Sequence, residues 1–184
     1  MGRALTSLLI SSVAAYLFGC AGQPDPDLTA AADKTVYAAH SFFHQKGRHL
    51  TTNYRTGTLV PVNTKVRIIS SSRKSIRIER AEGGQVIEIV NVANYSGEDI
   101  HGIFDRMFSP APIDLSRLSD GERDLILAGK AGVGMRRKAV IMALGYPPSH
   151  KTPSLQDKEW RYWQDRFRTF FVEFGNGKVV RIRE

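Results

Sequence analysis

Residues 119–147 read SDGERDLILAGKAGVGMRRKAVIMALGYP, and their punctuation decides the C-terminal half of the fold. Ser119 followed by Glu122 is a capping box: a hydroxyl accepts a backbone N–H at the helix start, and a carboxylate sits in the first turn. It opens a helix predicted through Ala128. Gly129 ends that helix, because glycine takes a left-handed closing conformation without steric penalty. A second helix is expected from about Gly134 to Leu144, with Val140, Ala143 and Leu144 on one stripe and Met135 or Arg136 a turn earlier. Gly145 stands at its C′ position, and Pro147-Pro148 prevents continuation.

Downstream, Ser149–Lys158 reads as a loop and Trp160–Trp163 as a strand. A last hairpin joins Phe167–Phe174 to Lys178–Arg183 through Gly175-Asn176-Gly177, residues suited to a tight turn. The expected order over residues 115–184 is helix, helix and three antiparallel strands. Upstream the period shortens to two. Val66-Arg67-Ile68, Ile76-Arg77-Ile78 and Ile87-Glu88-Ile89 alternate apolar and polar, with Val86 and Val90 flanking the last. Gly47, Gly57, Pro61-Val62-Asn63 and Gly83-Gly84 mark turns. An earlier hairpin is expected from Tyr37–His44 and His49–Tyr54, turning at Gln45–Arg48. A helix over Gly97–Phe108, capped by Ser96 with Glu98 and Asp99 in its first turn, closes the unit. The fold class is therefore α+β. A small antiparallel barrel or curled sheet with a closing helix spans residues 36–110, followed by the helix–helix–strand unit.

Several of these residues carry a family resemblance. Ala128-Gly129-Lys130-Ala131-Gly132-Val133-Gly134-Met135, Ala139-Val140, Leu144-Gly145-Tyr146-Pro147, Trp160-Arg161-Tyr162 and Val172–Val179 together resemble the SmpA/OmlA (BamE-like) lipoprotein domain. The resemblance covers residues 115–184. It implies an ααβββ fold and a role in outer-membrane protein assembly or envelope integrity. The family usually follows the Met with Ser or Thr and then acids. Here Arg136-Arg137-Lys138 occupy that turn, against the helix dipole by a few tenths of a kcal/mol each. Either the helix starts elsewhere or the positive turn serves an anionic partner. On the second option, Arg136, Arg137, Lys138 and the Trp160/Tyr162 strand are the partner-binding candidates. Gly57–Val66 carries a fainter likeness to bacterial SH3-like barrels.

The N-terminus bears on location. Residues 1–23 read MGRALTSLLISSVAAYLFGCAGQ, in which Arg3 precedes a 15-residue apolar stretch, Ala4–Phe18. Its length suits a signal peptide rather than a membrane span. Leu17-Phe18-Gly19-Cys20 resembles the bacterial lipobox, in which the signal peptidase cuts before the cysteine. The resemblance implies that residues 1–19 are removed and that Cys20, the only cysteine, is acylated by fatty acids such as palmitate. Ala21 rather than Asp follows, which favours delivery to the outer membrane, facing the periplasm. Ala21–Asp33 has two prolines, three Asp and no apolar period, so residues 20–35 read as an extended tether. With Cys20 acylated, thiol catalysis and disulfides are excluded.

The net charge of +8 would suit nucleic acid, but export argues against that partner. Residues 44–80 hold nine Lys or Arg against one acid, Glu79, whereas residues 81–133 hold nine acids against four basic residues. Alternation places many of those cations on one sheet face. Arg67, Arg73, Lys74 and Arg77 are the candidates for an anionic surface, either lipid headgroups or peptidoglycan. Gly-x-Ser-x-Gly, His-Glu-x-x-His and Gly-Lys-Ser/Thr do not occur. Gly129–Gly134 lacks the preceding strand of a phosphate loop. His40, His44 and His49 have no acid close in sequence and read as ordinary imidazoles rather than metal ligands. His101 and Asp105 form a helical pair without a nucleophile. Trp160 and Tyr162, with Phe171 or Phe174 across the hairpin, read first as core beneath the helices. The function expected is a non-enzymatic envelope adaptor without cofactor or metal, its partners being envelope proteins and the membrane that anchors Cys20. Its rival is binding of the cell wall or anionic lipid through the basic sheet.

Overall fold

A computed structural model describes residues 33–184. The predicted signal peptide (1–19), Cys20 and the tether up to residue 32 lie outside the described residues.

The chain is a mixed α+β protein built around a curled half-barrel sheet. Strands β1 (Thr35–Ala38), β3 (Arg48–Leu50), β5 (Lys65–Ser71), β6 (Ser75–Arg80), β7 (Val86–Val90) and β8 (Phe108–Ser109) form a six-stranded sheet in the order β3-β7-β6-β5-β1-β8. β5, β6 and β7 make an antiparallel meander, with a register shift between Ile68 and Ser70 that bends β5. Alternation sends Val66, Ile68, Ile76, Ile78, Ile87 and Ile89 to one buried face, as the sequence pattern predicts. Ile100, Ile103 and Met107 of a helix join the same core. Among the described residues no helix is long and apolar enough to cross a membrane.

Two expectations for this half are corrected. The turn at Gln45–Arg48 forms, with reciprocal backbone hydrogen bonds of 2.9 and 3.0 Å. The strands it joins do not form a hairpin, however. β2 (Phe42–His44) pairs with β4 (Thr58–Val60), while β3 pairs in parallel with β7. The helix expected over Gly97–Phe108 starts three residues later, as α2 (Ile100–Met107), and a separate short helix, α1 (Ala93–Ser96), precedes it. Gly97, at φ +70°, breaks the chain between them. Asp99, not Ser96, caps α2, its carboxylate accepting the Gly102 N–H at 2.9 Å. The Ser96 hydroxyl instead donates to Asn91 Oδ1 at 2.8 Å.

Residues 115–184 follow the predicted element order: α3 (Asp120–Leu127), α4 (Arg137–Leu144), β9 (Glu159–Trp163), β10 (Thr169–Gly175) and β11 (Lys178–Arg183). The last three form an antiparallel sheet, β11-β10-β9. Ser119 caps α3 as read, accepting the Glu122 N–H. α4 begins three residues later than predicted, because residues 134–136 belong to the sheet edge instead. The Gly134 N–H donates to the Val179 carbonyl and the Val179 N–H to the Met135 carbonyl, both at 2.8 Å. The second core gathers Ile126, Met135, Val140, Ala143 and Leu144 against Trp160, Tyr162, Val172 and Phe174.

A buried polar seam binds the two cores. The Ser41 N–H donates to the Met142 carbonyl at 2.8 Å, and its hydroxyl donates to the Ile126 carbonyl at 2.9 Å. Asn53 Nδ2 donates to the Leu144 carbonyl at 2.6 Å. Val62, from the first half of the chain, packs into the second core.

Candidate functional site

The three cations at the start of α4 have separate fates. Arg137 is locked into the fold: its guanidinium donates to the Leu155 and Asp157 carbonyls at 2.8 and 2.7 Å, and to the Gln156 carbonyl at 3.2 Å. It also stacks over the rings of Phe174 and Trp160, at 4.2 and 5.3 Å from their centroids. Desolvation lowers its pKa, with Asp157 opposing. Arg137 therefore ties the helix start to the 155–157 loop and offers no free guanidinium to a partner. Arg136 and Lys138 are exposed on either side of it. Arg136 has extended backbone and serves as N-cap without a side-chain cap bond. Trp160 and Tyr162 have no exposed surface, so a partner at the surface has no access to them. The Tyr162 hydroxyl donates to the Gly145 carbonyl at 3.0 Å, and burial raises its pKa.

The basic sheet face is partly neutralised by the fold. Arg67 bonds Glu79 at 2.6 Å and Asp33 at 2.8 Å, and those two partners raise its pKa. Arg67 is thus an intramolecular link rather than an open cation. Arg73 and Lys74 lie in the exposed β5–β6 turn, and Arg77 is exposed on β6 opposite Glu88. Cys20 lies outside the described residues.

His40, His44 and His49 are interior groups. His40 and His49 are buried, at 5% and 3% exposure, and burial pushes both down to about 4. His49 Nδ1 bonds the Phe43 carbonyl at 2.7 Å and His40 Nδ1 the Ser41 carbonyl at 3.2 Å, so each serves as the N–H donor. They line a cavity of about 30 Å³ together with Asn53, Arg106 and Tyr146. That space is far below the few hundred Å³ of an organic-ligand site. Among the described residues, no group of three or more His, Cys, Asp or Glu is placed to hold a metal ion.

A groove of about 530 Å³ lies between the α3–α4 connection and the C-terminal sheet. Arg55, Lys130, Arg168 and Gln164 supply its polar lining, with Leu144, Phe170 and Ile182 as apolar wall and Glu184 at one side. Arg55 is the unusual member. Only 7% exposed, it donates to the Leu144 carbonyl at 3.3 Å and to the Gly129 carbonyl, and it lies 5.0 Å from the Phe43 ring centroid. Burial lowers its pKa to about 10. Among the described residues no carboxylate pairs with it. Arg168 belongs to the β9–β10 turn, where the Asp165 carboxylate accepts the Phe167 and Arg168 N–H groups at 2.8 and 2.9 Å. β10 starts at Thr169, leaving Phe167 85% exposed at the turn. Sequence reading counted Arg55 only among the nine cations of residues 44–80 and singled out neither Lys130 nor Arg168 as a binding residue. The groove joins residues over a hundred positions apart, and no local pattern encodes that.

Comparison of the chain with protein-family models, with curated proteins and with solved structures gave no match.

Proposed function

We propose that the chain is a non-enzymatic lipoprotein of the bacterial outer membrane, anchored through acylated Cys20 and serving as a periplasmic adaptor or stabilising subunit in envelope assembly. The BamE-like reading of residues 115–184 draws support from the order α3-α4-β9-β10-β11, with two helices over one face of an antiparallel sheet. Fold-level likeness alone does not fix function. The observation that carries the proposal is the start of α4. Like charges gathered at a helix N-terminus oppose its dipole. Arg137 is explained by its carbonyl and ring contacts, whereas Arg136 and Lys138 stand exposed beside it on a turn that Arg137 holds rigid. A rigid pair of cations suits an acidic protein surface. The double variant Arg136→Glu/Lys138→Glu is expected to lose envelope partners in pull-downs from solubilised membranes while melting as wild type does. Recovery of the same partner set would defeat the adaptor reading.

A second reading, binding of peptidoglycan or anionic headgroups, rests on the exposure of Arg73, Lys74 and Arg77. Sedimentation with peptidoglycan and with anionic vesicles tests it. Unchanged binding after neutralising these three removes it.

A further inference from the structure

The seam between the two cores borders the small cavity lined by His40, His49, Asn53, Ile103, Arg106 and Tyr146. Its lining is rich in acceptors that no donor meets. Asn53 is 6% exposed, and its Oδ1 has no hydrogen-bond partner among the described residues. The amide cannot turn over to relieve this, because Nδ2 donates to the Leu144 and Tyr146 carbonyls at 2.6 and 3.3 Å. His40 and His49 spend their Nδ1–H groups on the Ser41 and Phe43 carbonyls, and burial keeps both rings neutral. Each Nε2 is therefore an acceptor, and no other hydrogen bond of either ring is present among the described residues. Arg106 donates to the Ser96 carbonyl at 3.0 Å and to Glu98, which leaves further guanidinium N–H groups to donate. A buried acceptor without a donor is costly, so this set calls for a ligand that donates.

We propose that this cavity is a binding site for water, which donates to Asn53 Oδ1 and to an imidazole Nε2, accepts from Arg106, and completes the polar seam between the two cores. Size sets the first limit. A volume of about 10–15 Å³ admits one water, so a cavity of about 30 Å³ holds one or two and no organic molecule. Charge sets the second. An anion would face three acceptors. A cation would face the Arg106 guanidinium, with Arg55 also near enough to oppose a charge on His40. Imidazoles held through Nδ1 by backbone carbonyls can ligate a metal, but no carboxylate or thiolate lines the cavity to offset Arg106. A neutral molecule that both donates and accepts satisfies every group. Through Asn53, whose amide already holds the end of α4, the water ties β3 and α2 to the second half of the chain. The site does not depend on the adaptor reading or on Cys20.

The test is NMR on the full chain labelled at histidine, reading water cross-peaks in NOE and ROE spectra. Bound water gives NOE and ROE peaks of opposite sign, whereas proton exchange gives peaks of the same sign. Opposite-sign peaks are expected at the non-exchanging Hδ2 of His40 or His49, the proton beside Nε2. Tyr146→Phe is expected to keep them, because their source is water and not the phenol proton. Ile103→Phe, which adds bulk to the cavity wall, is expected to remove them. Absence of such peaks at both rings in the wild type would overturn the proposal, as would their loss in Tyr146→Phe or their persistence in a folded Ile103→Phe. If Ile103→Phe does not fold, the wild-type and Tyr146→Phe spectra decide alone. Zinc sulfate alone and sodium chloride alone are expected to leave both Hδ2 signals unmoved. Saturable shifts of both with zinc would assign the cavity to a metal, and with chloride to an anion, and either would overturn the proposal.

Discussion

Acid should unfold this protein through two histidines, well before its carboxylates are titrated. His40 and His49 sit at about 4 in the folded chain against an ordinary 6.5, burial being the main cause, with Arg55 and Arg106 also holding His40 down. Their folded pKa values lie below the unfolded ones, so between pH 6.5 and 4 the unfolded chain binds more protons and stability falls as pH falls. Moving from pH 7.5 to 4.5 removes about 2.5 kcal/mol per ring, or about 5 kcal/mol for both, by proton linkage. Domain stabilities run from about 5 to 15 kcal/mol, so this loss is a large share of the total. At a urea slope of about 2 kcal/mol per M, the midpoint shifts down by roughly 2.5 M. Urea titrations at half-unit pH steps read the effect, and the double variant His40→Gln/His49→Gln should flatten the profile. The carboxylates Asp165 and Glu173, held low by their hydrogen bonds, contribute mainly at lower pH. The reasoning is refuted by a urea midpoint constant from pH 6.5 to 4.5, or by both imidazoles titrating near 6.5 in the folded state by NMR.

Further outcomes follow from single contacts. Arg55→Ala should destabilise by about 2–4 kcal/mol in urea, because the buried Leu144 and Gly129 carbonyls lose their donor. Trp160→Ala should cost about 3–5 kcal/mol, as deletion of a buried aromatic does. Trp160→Phe should cost much less, because the indole N–H has no partner among the described residues to lose. Gly145→Ala should lower the melting temperature: at φ +74° the new Cβ lies 2.9 Å from Asn53 Nδ2 and 3.0 Å from the His40 ring, a loss of about 1–3 kcal/mol. Residues 115–184 expressed alone should show weak chemical-shift dispersion, because Ser41, Asn53 and Val62 are removed from their core.

The strand pattern was legible where each residue's own neighbours decide its face. Val66, Ile68, Ile76, Ile78, Ile87 and Ile89 alternate, and all six are buried. The caps and turns at Ser119, Gly129 and Gly175–Gly177 were legible for the same reason: a side chain or a positive φ acts within four residues. Pairing partners were not. The turn at Gln45–Arg48 is local and was predicted, whereas the choice of β7 as partner for β3 depends on residues forty positions away. Helix α4 was placed too early because Met135 satisfies the apolar stripe equally well as an extended residue beside Val179. The site suffered most, since charge is visible in sequence and burial is not. Arg55, Arg67 and Arg137 all counted as surface cations. The fold has bound one to carbonyls inside the protein, one to two carboxylates, and one to a loop and two rings.

That redistribution changes what the positive charge means. A net +8 suggests a broad electrostatic surface, yet the cations doing structural work cannot also attract a partner without breaking the contacts that hold them. Those contacts lie along the joins of the fold. Arg55 belongs to the seam between the two cores, and Arg137 fastens α4 to the loop before β9. Arg67 links β5 to β6 across their ladder. Among the described residues, the exposed cations not held in this way include Arg136 and Lys138 at the helix start, Lys130 at the groove, Arg77 on β6 and the Arg73–Lys74 turn. Charges fixed on rigid elements discriminate by position as well as by sign. A diffuse basic face would bind any polyanion with a steep salt dependence. Arg136 and Lys138, fixed at the start of α4, instead favour a partner whose acids are spaced to match them, and on that ground we propose an adaptor before a general anion binder.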